Sequence, residues 1–208
     1  MNPVIETIKK RRSVRSYKPD PVPRDAIEAI IDAGNWAPTG LNQQCWRFVV
    51  VEGGLFKPKL FKAALPTWVK AFDHWIESQN DSIREYLGDL FSRCLGWPSQ
   101  SYEEMLRQGR DLADGMYWGA PVVIFCIGTA AHAAQECAMV CQNMMLAATA
   151  LGLGSCCVGF GARVTDDEEI VEALELKEHE KIYGPIVVGY PEIVPEPPPK
   201  KPPVVKCI

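Results

Sequence analysis

Apolar positions recur along the chain with the spacings of helices and of strands. Helical spacing predicts five helices, over residues 3–12, 24–36, 55–64, 133–151 and 166–174. The fourth of these segments is apolar on nearly every side, so we expect a central helix, which Gly152 and Gly154 should end. Thr165 is expected to cap the last helix, with Glu168 three residues later as in a capping box.

Runs of β-branched, aromatic and other apolar residues predict four strands, over residues 46–51, 121–127, 155–160 and 181–189. The second run is continuously apolar, which predicts a buried strand. The first elements are helical and the connections between elements differ in length. We therefore predict an α+β sandwich rather than a regular doubly wound sheet.

Residues 65–118 differ in character from the rest of the chain, because glycines and prolines interrupt them repeatedly. Four of the six tryptophans lie in this stretch, at Trp68, Trp75, Trp97 and Trp118. We interpret the stretch as a helical insertion that forms a cover or contacts a partner; the alternative is additional core. The proline-rich segment 191–208 cannot form a helix or a central strand, so an extended arm is expected. With no internal repeat or flexible linker, residues 1–208 predict a single domain.

Charge and composition exclude several classes of function. The net charge of −4 gives no general reason to bind nucleic acid or an anionic membrane, so any anion site must come from a local cluster of Lys and Arg. The N-terminus lacks the apolar stretch of a secretory signal, and no apolar run has the length of a membrane span. We therefore expect a cytoplasmic protein.

The eight cysteines are Cys45, Cys94, Cys126, Cys137, Cys141, Cys156, Cys157 and Cys207. No two of them form a C-x2-C pair, and the three histidines stand apart in the sequence, so a metal or iron–sulfur centre is not favoured. Cys137 and Cys141 could share a helical face, but they would make only half a site. We interpret the cysteines as small buried apolar residues in a reducing compartment, and predict no metal.

A cluster of basic residues stands where the chain leaves the first predicted helix. Arg11, Arg12 and Arg15 lie within five residues, together with the hydroxyl of Ser13. Guanidinium groups stay charged and match phosphate oxygens in a bidentate way. Taken alone, such a cluster is also explained by a solvated basic surface.

Three further segments have residues suited to a planar, phosphorylated ligand. The loop over 37–46 contains the amides of Asn42 and Gln44, which offer the mixed donors and acceptors that the pyrimidine edge of a flavin requires, or it is simply a capped turn. The glycine-rich segment 152–159 follows a helix, so it does not fit a dinucleotide-binding turn, but its backbone can approach a flat ring. After the last strand, Lys200 and Lys201 either add charge to a phosphate site or solubilise the tail.

The order and spacing of these segments resemble the nitroreductase family of FMN enzymes, over about residues 4–202. Residues 11–15 resemble its R-R-S-x-R motif. The segment 152–159 resembles its G-L-G-S/T motif, and 188–191 resembles its late V-G-Y-P motif. Four motifs in the same order make this resemblance specific.

The fourth motif of the resemblance, P-S-x-x-N-x-Q-P-W, corresponds to residues 38–46 and carries two departures. Thr39 replaces the usual Ser and keeps the hydroxyl. Cys45 replaces the usual Pro and removes a rigid residue before Trp46.

The resemblance implies an intertwined homodimer with a central mixed or antiparallel sheet flanked by helices, and two FMN sites at the subunit interface. It implies twelve cofactor contacts: Arg11, Arg12, Ser13 and Arg15 on the phosphate, ribityl chain and pyrimidine end; Pro38, Thr39, Gly40 and Asn42 from the other subunit; the backbone of Val158 and Gly159 near the flavin N5; and Lys200 and Lys201 on the phosphate.

The same resemblance implies an NAD(P)H-dependent FMN oxidoreductase with a ping-pong mechanism. NADH or NADPH is expected to dock on the exposed flavin face, transfer hydride to N5 and leave, so that a nitroaromatic, a quinone or a similar electron-poor substrate can take its place. No side chain needs to act as an acid or base, so no catalytic residue is predicted. The alternatives are reductive dehalogenation, enone reduction or flavin fragmentation on the same scaffold, or a non-enzymatic FMN-binding protein.

Overall fold

The structure, a computed structural model, describes residues 2–53, 58–60, 62–64, 117–129 and 131–207. The helices are α1 (Pro3–Lys10), α2 (Arg24–Asn35), α3 (Ala133–Ala150) and α4 (Glu168–Ala173), and residues 58–60 and 62–64 are also helical. The strands are β1 (Trp46–Glu52), β2 (Val122–Gly128), β3 (Gly154–Cys157) and β4 (Lys181–Gly189). The predicted insertion over 65–118 lies outside the described residues except for its last two positions.

The four strands form one antiparallel sheet in the order β1-β2-β4-β3. Every residue of β2 is buried, which confirms the strand predicted from its continuous apolar run. In the register, Phe125 of β2 lies opposite Val49 of β1 and Pro185 of β4. Helices together with an antiparallel sheet confirm the predicted α+β class.

Both faces of the sheet are covered, so the protein has two apolar cores. Ile124 and Cys126 of β2 pack in the core that α2 and α3 share with the sheet. Phe125 and Ile127 pack in the second core, with Leu60 and with Ile170 of α4. This alternation follows from the two-residue period of a strand, and it makes β2 the centre of the sandwich.

The central helix α3 packs tightly against α2, at a position where only glycine fits. A Cβ atom on Gly34 would lie 2.6 Å from Cγ of Met144. The C-terminus of α3 is closed as predicted by Gly152, which has a φ of +76° and donates its N–H to the carbonyl of Thr149. Gly154 does not take part in this cap, contrary to expectation, because it already belongs to β3.

Two predicted helix ends are wrong. Helix α1 stops at Lys10, because Arg11 adopts an extended conformation with ψ 132°. Helix α4 is capped by Asp167 and not by Thr165. The Asp167 carboxylate accepts a 3.1 Å hydrogen bond from the backbone N–H of Ile170. Asp167 stands directly before the first helical residue, which is the position of an N-cap, whereas Thr165 lies two residues earlier.

The third strand is shorter than the predicted segment 155–160. It ends at Cys157, and residues Gly159–Ala162 form a 3-10 turn. The N–H of Val158 makes the last bond to β4, at the carbonyl of Pro185, and the N–H of Gly161 then closes the turn on Val158. A Cβ on Gly161 would lie 2.8 Å from the Pro185 ring, so this close turn needs glycine.

The cysteine prediction is confirmed only in part. Cys126, Cys137, Cys141 and Cys156 are buried and unbridged, whereas Cys157 and Cys207 are exposed and Cys45 is half-buried; Cys94 lies outside the described residues.

Within the described ranges, no three His, Cys, Asp or Glu side chains lie close enough together to hold a metal ion. Among the helices of that same part of the chain, none combines the length and apolarity of a membrane span.

Candidate functional site

A cleft with a volume of about 660 Å³ lies at the end of α1. Its charged lining residues are Lys9, Arg11, Arg12, Arg15, Lys200 and Glu196. Five cations therefore face one carboxylate, in a chain whose net charge is −4. Such a local excess of positive charge suits an anion. We refer to this cleft as the cationic cleft.

The cationic cleft brings together most of the residues predicted to contact the phosphate end of a cofactor. Ser13 lines the cleft with the three arginines, and Lys200 reaches it from the extended tail. Lys201 is exposed and does not line it. Gln142 of α3 also lines the cleft, which the sequence motifs did not indicate.

The three arginines of the cationic cleft have different surroundings. Nη1 of Arg12 donates to the carbonyls of Lys9 at 2.7 Å and Arg11 at 2.9 Å, so this side chain also closes the end of α1. The Arg15 guanidinium lies 5.4 Å from the ring centroid of Trp118, a cation–π contact. Arg11 is half-buried, and its guanidinium makes no hydrogen bond to the part of the chain that the structure describes.

The basic segment is fixed between β3 and the end of β4. The N–H of Val14 donates to the carbonyl of Ser155 at 3.0 Å, in a parallel bridge next to β3. The N–H of Lys18 donates to the carbonyl of Tyr190 at 2.9 Å. The segments that resemble R-R-S-x-R, G-L-G-S/T and V-G-Y-P therefore meet in space.

Two glycines explain why these segments can approach so closely. A Cβ on Gly154 would lie 2.9 Å from the side chain of Val14, and a Cβ on Gly189 would lie 2.9 Å from Tyr17. Val14 and Tyr17 are both buried, so neither side chain can turn away into solvent. The glycines thus maintain the path of the basic segment.

The two predicted backbone contacts near the end of β3 differ in what they offer. Val158 is buried, and its N–H already donates to the carbonyl of Pro185. Gly159 is exposed, and a Cβ placed on it would meet nothing within 4 Å. The backbone at Gly159 is thus an open edge at which a flat group can approach.

The loop over residues 38–45 does not line the cationic cleft of its own chain. Its predicted contact residues are Pro38, Thr39, Gly40 and Asn42, of which only Thr39 is half-buried and the others are exposed. Leu41 is 94% exposed, so its apolar side chain projects into solvent. Backbone φ is positive at Leu41, Asn42 and Gln44, with values of 52°, 56° and 47°.

The buried carboxylate of Glu136, on the first turns of α3, holds this loop. Its Oε1 accepts a 2.8 Å bond from the N–H of Gly40, and its Oε2 accepts bonds from the Thr39 hydroxyl at 2.9 Å and the Cys45 thiol at 3.0 Å. The thiol of Cys45, followed by the N–H of Gly40, lowers the pKa of Glu136 below its usual value. The side chain is therefore a carboxylate at neutral pH.

Sequence reasoning missed Glu136, although a signal was present. It is the single Asp, Glu, Lys or Arg within α3, and the helix is otherwise predicted to be buried on nearly every side. An acidic residue at a buried helical position needs hydrogen-bond donors, because burying an unpaired charge is costly. The donors stand in the loop that the motif resemblance had singled out independently.

The chain is similar in sequence to proteins of one known family. The profile of the Nitroreductase family matches residues 8–190. The nitroreductase NfnB of Mycolicibacterium smegmatis is 28% identical over 158 residues, which cover 72% of this chain and 67% of that protein.

Solved structures show the same fold. A nitroreductase with bound FMN from Bacteroides fragilis superposes with a TM-score of 0.72 at 25% identity, covering 100% of both chains. The FMN-dependent NfnB from Mycobacterium smegmatis, in complex with NADPH, superposes with a TM-score of 0.66 at 25% identity, covering 91% of this chain and 88% of that one. Because the family profile matches most of the chain, the chain belongs to the Nitroreductase family.

Proposed function

We propose that the protein is an FMN-dependent oxidoreductase that uses NADH or NADPH to reduce electron-poor substrates such as nitroaromatics and quinones. The observation that carries this proposal is the cationic cleft. It gathers five cations from both ends of an acidic chain and is tied by the Val14–Ser155 bond to the segment that ends in the open backbone of Gly159.

The described residues fit FMN in two respects. The guanidinium groups of Arg11 and Arg15, with the Lys200 ammonium, supply the positive charge that a phosphate dianion requires. The missing side chain of Gly159 leaves room for a planar ring, in the segment that the Val14–Ser155 bond joins to the arginines. A ligand that combines a phosphate with a flat ring matches this pair of features better than a free anion does.

In this proposal the protein binds and orients the cofactor and excludes water. When bound, FMN would supply the redox chemistry, which is two-electron transfer from the nicotinamide to the second substrate in ping-pong order. The cationic cleft holds the phosphate end with Arg11, Arg12, Ser13, Arg15 and Lys200, and Gly159 admits the ring. No described side chain is assigned as an acid or base.

We also propose that the protein works as a homodimer. Helix α1 buries no residue, and its apolar Val4, Ile5 and Ile8 are between 46% and 64% exposed. Trp36, on the same surface, is 80% exposed beside an apolar groove that α1 forms with α3. Apolar surface of this kind is typical of a subunit interface. The proposal places Pro38, Thr39, Gly40 and Asn42 against the flavin of the partner subunit.

Names of the relatives support the proposal. NfnB is called a nitroreductase and was solved with NADPH, and the Bacteroides fragilis protein was solved with FMN. A further relative from Bacillus subtilis, 27% identical over 194 residues, is an FMN reductase that uses NAD(P)H.

The experiment is a substrate panel on FMN-loaded protein. Oxidation of NADH and of NADPH is followed with nitroaromatic and quinone acceptors, and the same protein without FMN is the control. We expect FMN-dependent oxidation that requires an acceptor. Tight FMN binding with no nicotinamide oxidation by any acceptor would instead indicate a flavin-binding protein. Turnover restricted to aryl halides or enones, or fragmentation of the flavin itself, would indicate a different flavin reaction.

A further inference from the structure

One carboxylate connects the two ends of the exposed loop over residues 39–45. Gly40 and Thr39 bind Glu136 at the start of the loop, and Cys45 binds it at the end. Glu136 is 7% exposed and lies on α3, which packs against the sheet. The loop is therefore attached at both of its ends to a helix that packs against the sheet.

The Thr39 hydroxyl extends this attachment to the backbone of Gln44. It donates to Glu136 at 2.9 Å and accepts the N–H of Gln44 at 3.1 Å. Glu136 sets the direction of these two hydrogen bonds, because an ionised carboxylate can only accept a hydrogen bond. The hydroxyl proton is thus committed to Glu136, and the hydroxyl oxygen remains available to Gln44.

The loop needs such support because its backbone is strained. Leu41, Asn42 and Gln44 all have positive φ, which costs free energy for residues other than glycine. Strained residues persist only where the surroundings determine their conformation, and they concentrate at functional sites. Leu41, Asn42 and Gln44 are also exposed, so packing of their side chains does not explain the conformation.

We infer that Glu136 is a positioning residue for cofactor binding: its carboxylate holds the loop over 39–45 in the strained shape that presents Gly40 and Asn42 to the flavin. This inference rests on the proposed function, in which the loop contacts FMN. Glu136 itself need not touch the cofactor. Its role is to shape the loop before the cofactor arrives, so that little ordering cost remains on binding.

A purely structural role would look different. If Glu136 only stabilised the fold, its loss would lower the free energy of unfolding and leave FMN affinity and local loop order unchanged in the molecules that remain folded. Glu180 offers a matched control, because it is an equally buried carboxylate, 7% exposed, that binds Arg47 and takes no part in the loop. Comparing Glu136→Gln with Glu180→Gln separates the two roles.

The first measurement is amide hydrogen exchange of the cofactor-free protein. In the wild type, the N–H groups of Gly40 and Gln44 should be protected although both residues are exposed, because both amides are hydrogen-bonded. In Glu136→Gln, an NH2 group replaces one of the two acceptor oxygens and meets the donor groups of the loop. Exchange at Gly40 and Gln44 should therefore accelerate about tenfold or more. Glu180→Gln should leave both rates unchanged.

The second measurement is the dissociation constant of FMN, from quenching of flavin fluorescence on titration with cofactor-free protein. Glu136→Gln should weaken FMN binding about tenfold or more, and Glu180→Gln should bind as the wild type does. Thr39→Val removes the hydroxyl and should weaken binding in the same way, whereas Thr39→Ser keeps the hydroxyl and should restore wild-type affinity. If Glu136→Gln does not fold, the Thr39 pair is measured by both methods, because loss of a direct flavin contact alone would weaken FMN binding without accelerating exchange at Gly40 in the cofactor-free protein.

Each other result overturns the inference. Unchanged exchange at Gly40 and Gln44 would show that the carboxylate does not hold the loop. Faster exchange with unchanged FMN affinity would show that the loop does not contribute to the cofactor site. A wild type that binds no FMN would remove the proposed function and this inference with it, and since the wild type is measured first, that failure is distinguishable from the other two.

Discussion

The backbone N–H of Val14 donates a 3.0 Å hydrogen bond to the carbonyl oxygen of Ser155, and this bond joins two segments that are far apart in sequence. On one side of it stand the arginines of the cationic cleft, and on the other stands the glycine-rich segment that leads to Gly159. The bond thereby joins the basic segment to the strand that leads to the open backbone at Gly159.

The first prediction concerns the close contact beneath this bond. In Gly154→Ala the new methyl group would lie 2.9 Å from Val14, which is 3% exposed and cannot withdraw. We expect a loss of about 1–3 kcal/mol in the free energy of unfolding, measured by urea denaturation. The control is Gly159→Ala, whose methyl group enters open space and should change stability by less than about 0.5 kcal/mol. Equal stability of the two variants would contradict the packing described here.

The second prediction separates the roles of the arginines. Arg11→Ala should weaken FMN binding by about 10- to 100-fold with little change in stability, because the Arg11 guanidinium has no hydrogen bond within the described part of the chain. Arg12→Ala should also lower stability, since Arg12 closes α1. Calorimetric titration with FMN measures the affinities, and Arg163→Ala, an exposed arginine outside the cleft, is the control. Unchanged FMN affinity in Arg11→Ala would remove Arg11 from the phosphate site.

The third prediction concerns stability at acid pH. Arg47 binds both oxygens of Glu180, and its hydrogen bonds lower the pKa of Glu180 from 4.5 to about 2. The folded-state pKa is below the unfolded value. The stabilisation is therefore fully present above about pH 4.5 and is lost as the pH falls towards 2, with an upper limit of about 3 kcal/mol.

Urea denaturation at about pH 5 and about pH 3 tests this expectation. The wild type should lose more stability between these pH values than Glu180→Gln, in which the titrating group is absent. Parallel losses in the two proteins would show that other carboxylates dominate acid unfolding.

The fourth prediction concerns the proposed dimer. Trp36 is 80% exposed at the edge of an apolar groove, so Trp36→Glu should place an uncompensated charge in the interface. We expect the dimer dissociation constant to rise about 100-fold or more, with weaker FMN binding as a consequence. Sedimentation velocity measures the association state, and Trp36→Phe should remain dimeric. A monomeric wild type that still binds FMN tightly would refute the shared site.

The regular elements could be predicted from the sequence because hydrophobic spacing determines them. The continuous apolar run of β2 supplies residues to both cores, and the apolar residues of α2 pack in one of them. Element ends were less predictable, because they depend on single contacts such as the Asp167 cap and the close approach of Gly161 to Pro185. Neither contact leaves a periodic signal.

The candidate site could be predicted in part. The motifs located the arginine cluster and Lys200, which the fold brings into one cleft. They did not locate Gln142 or Glu136, since a helical position reveals its partners only once the helices are packed. The left-handed conformations of Leu41 and Gln44 were likewise not predictable, because neither residue type favours positive φ.

The ratio of the affinities for FMN and riboflavin tests the central claim most directly, because the two molecules share the flavin ring and differ by the phosphate. If the cationic cleft binds that phosphate, FMN should bind about 100-fold tighter than riboflavin or more, and Arg11→Ala should reduce this ratio. Equal affinities for FMN and riboflavin, or a ratio that Arg11→Ala leaves unchanged, would contradict the account.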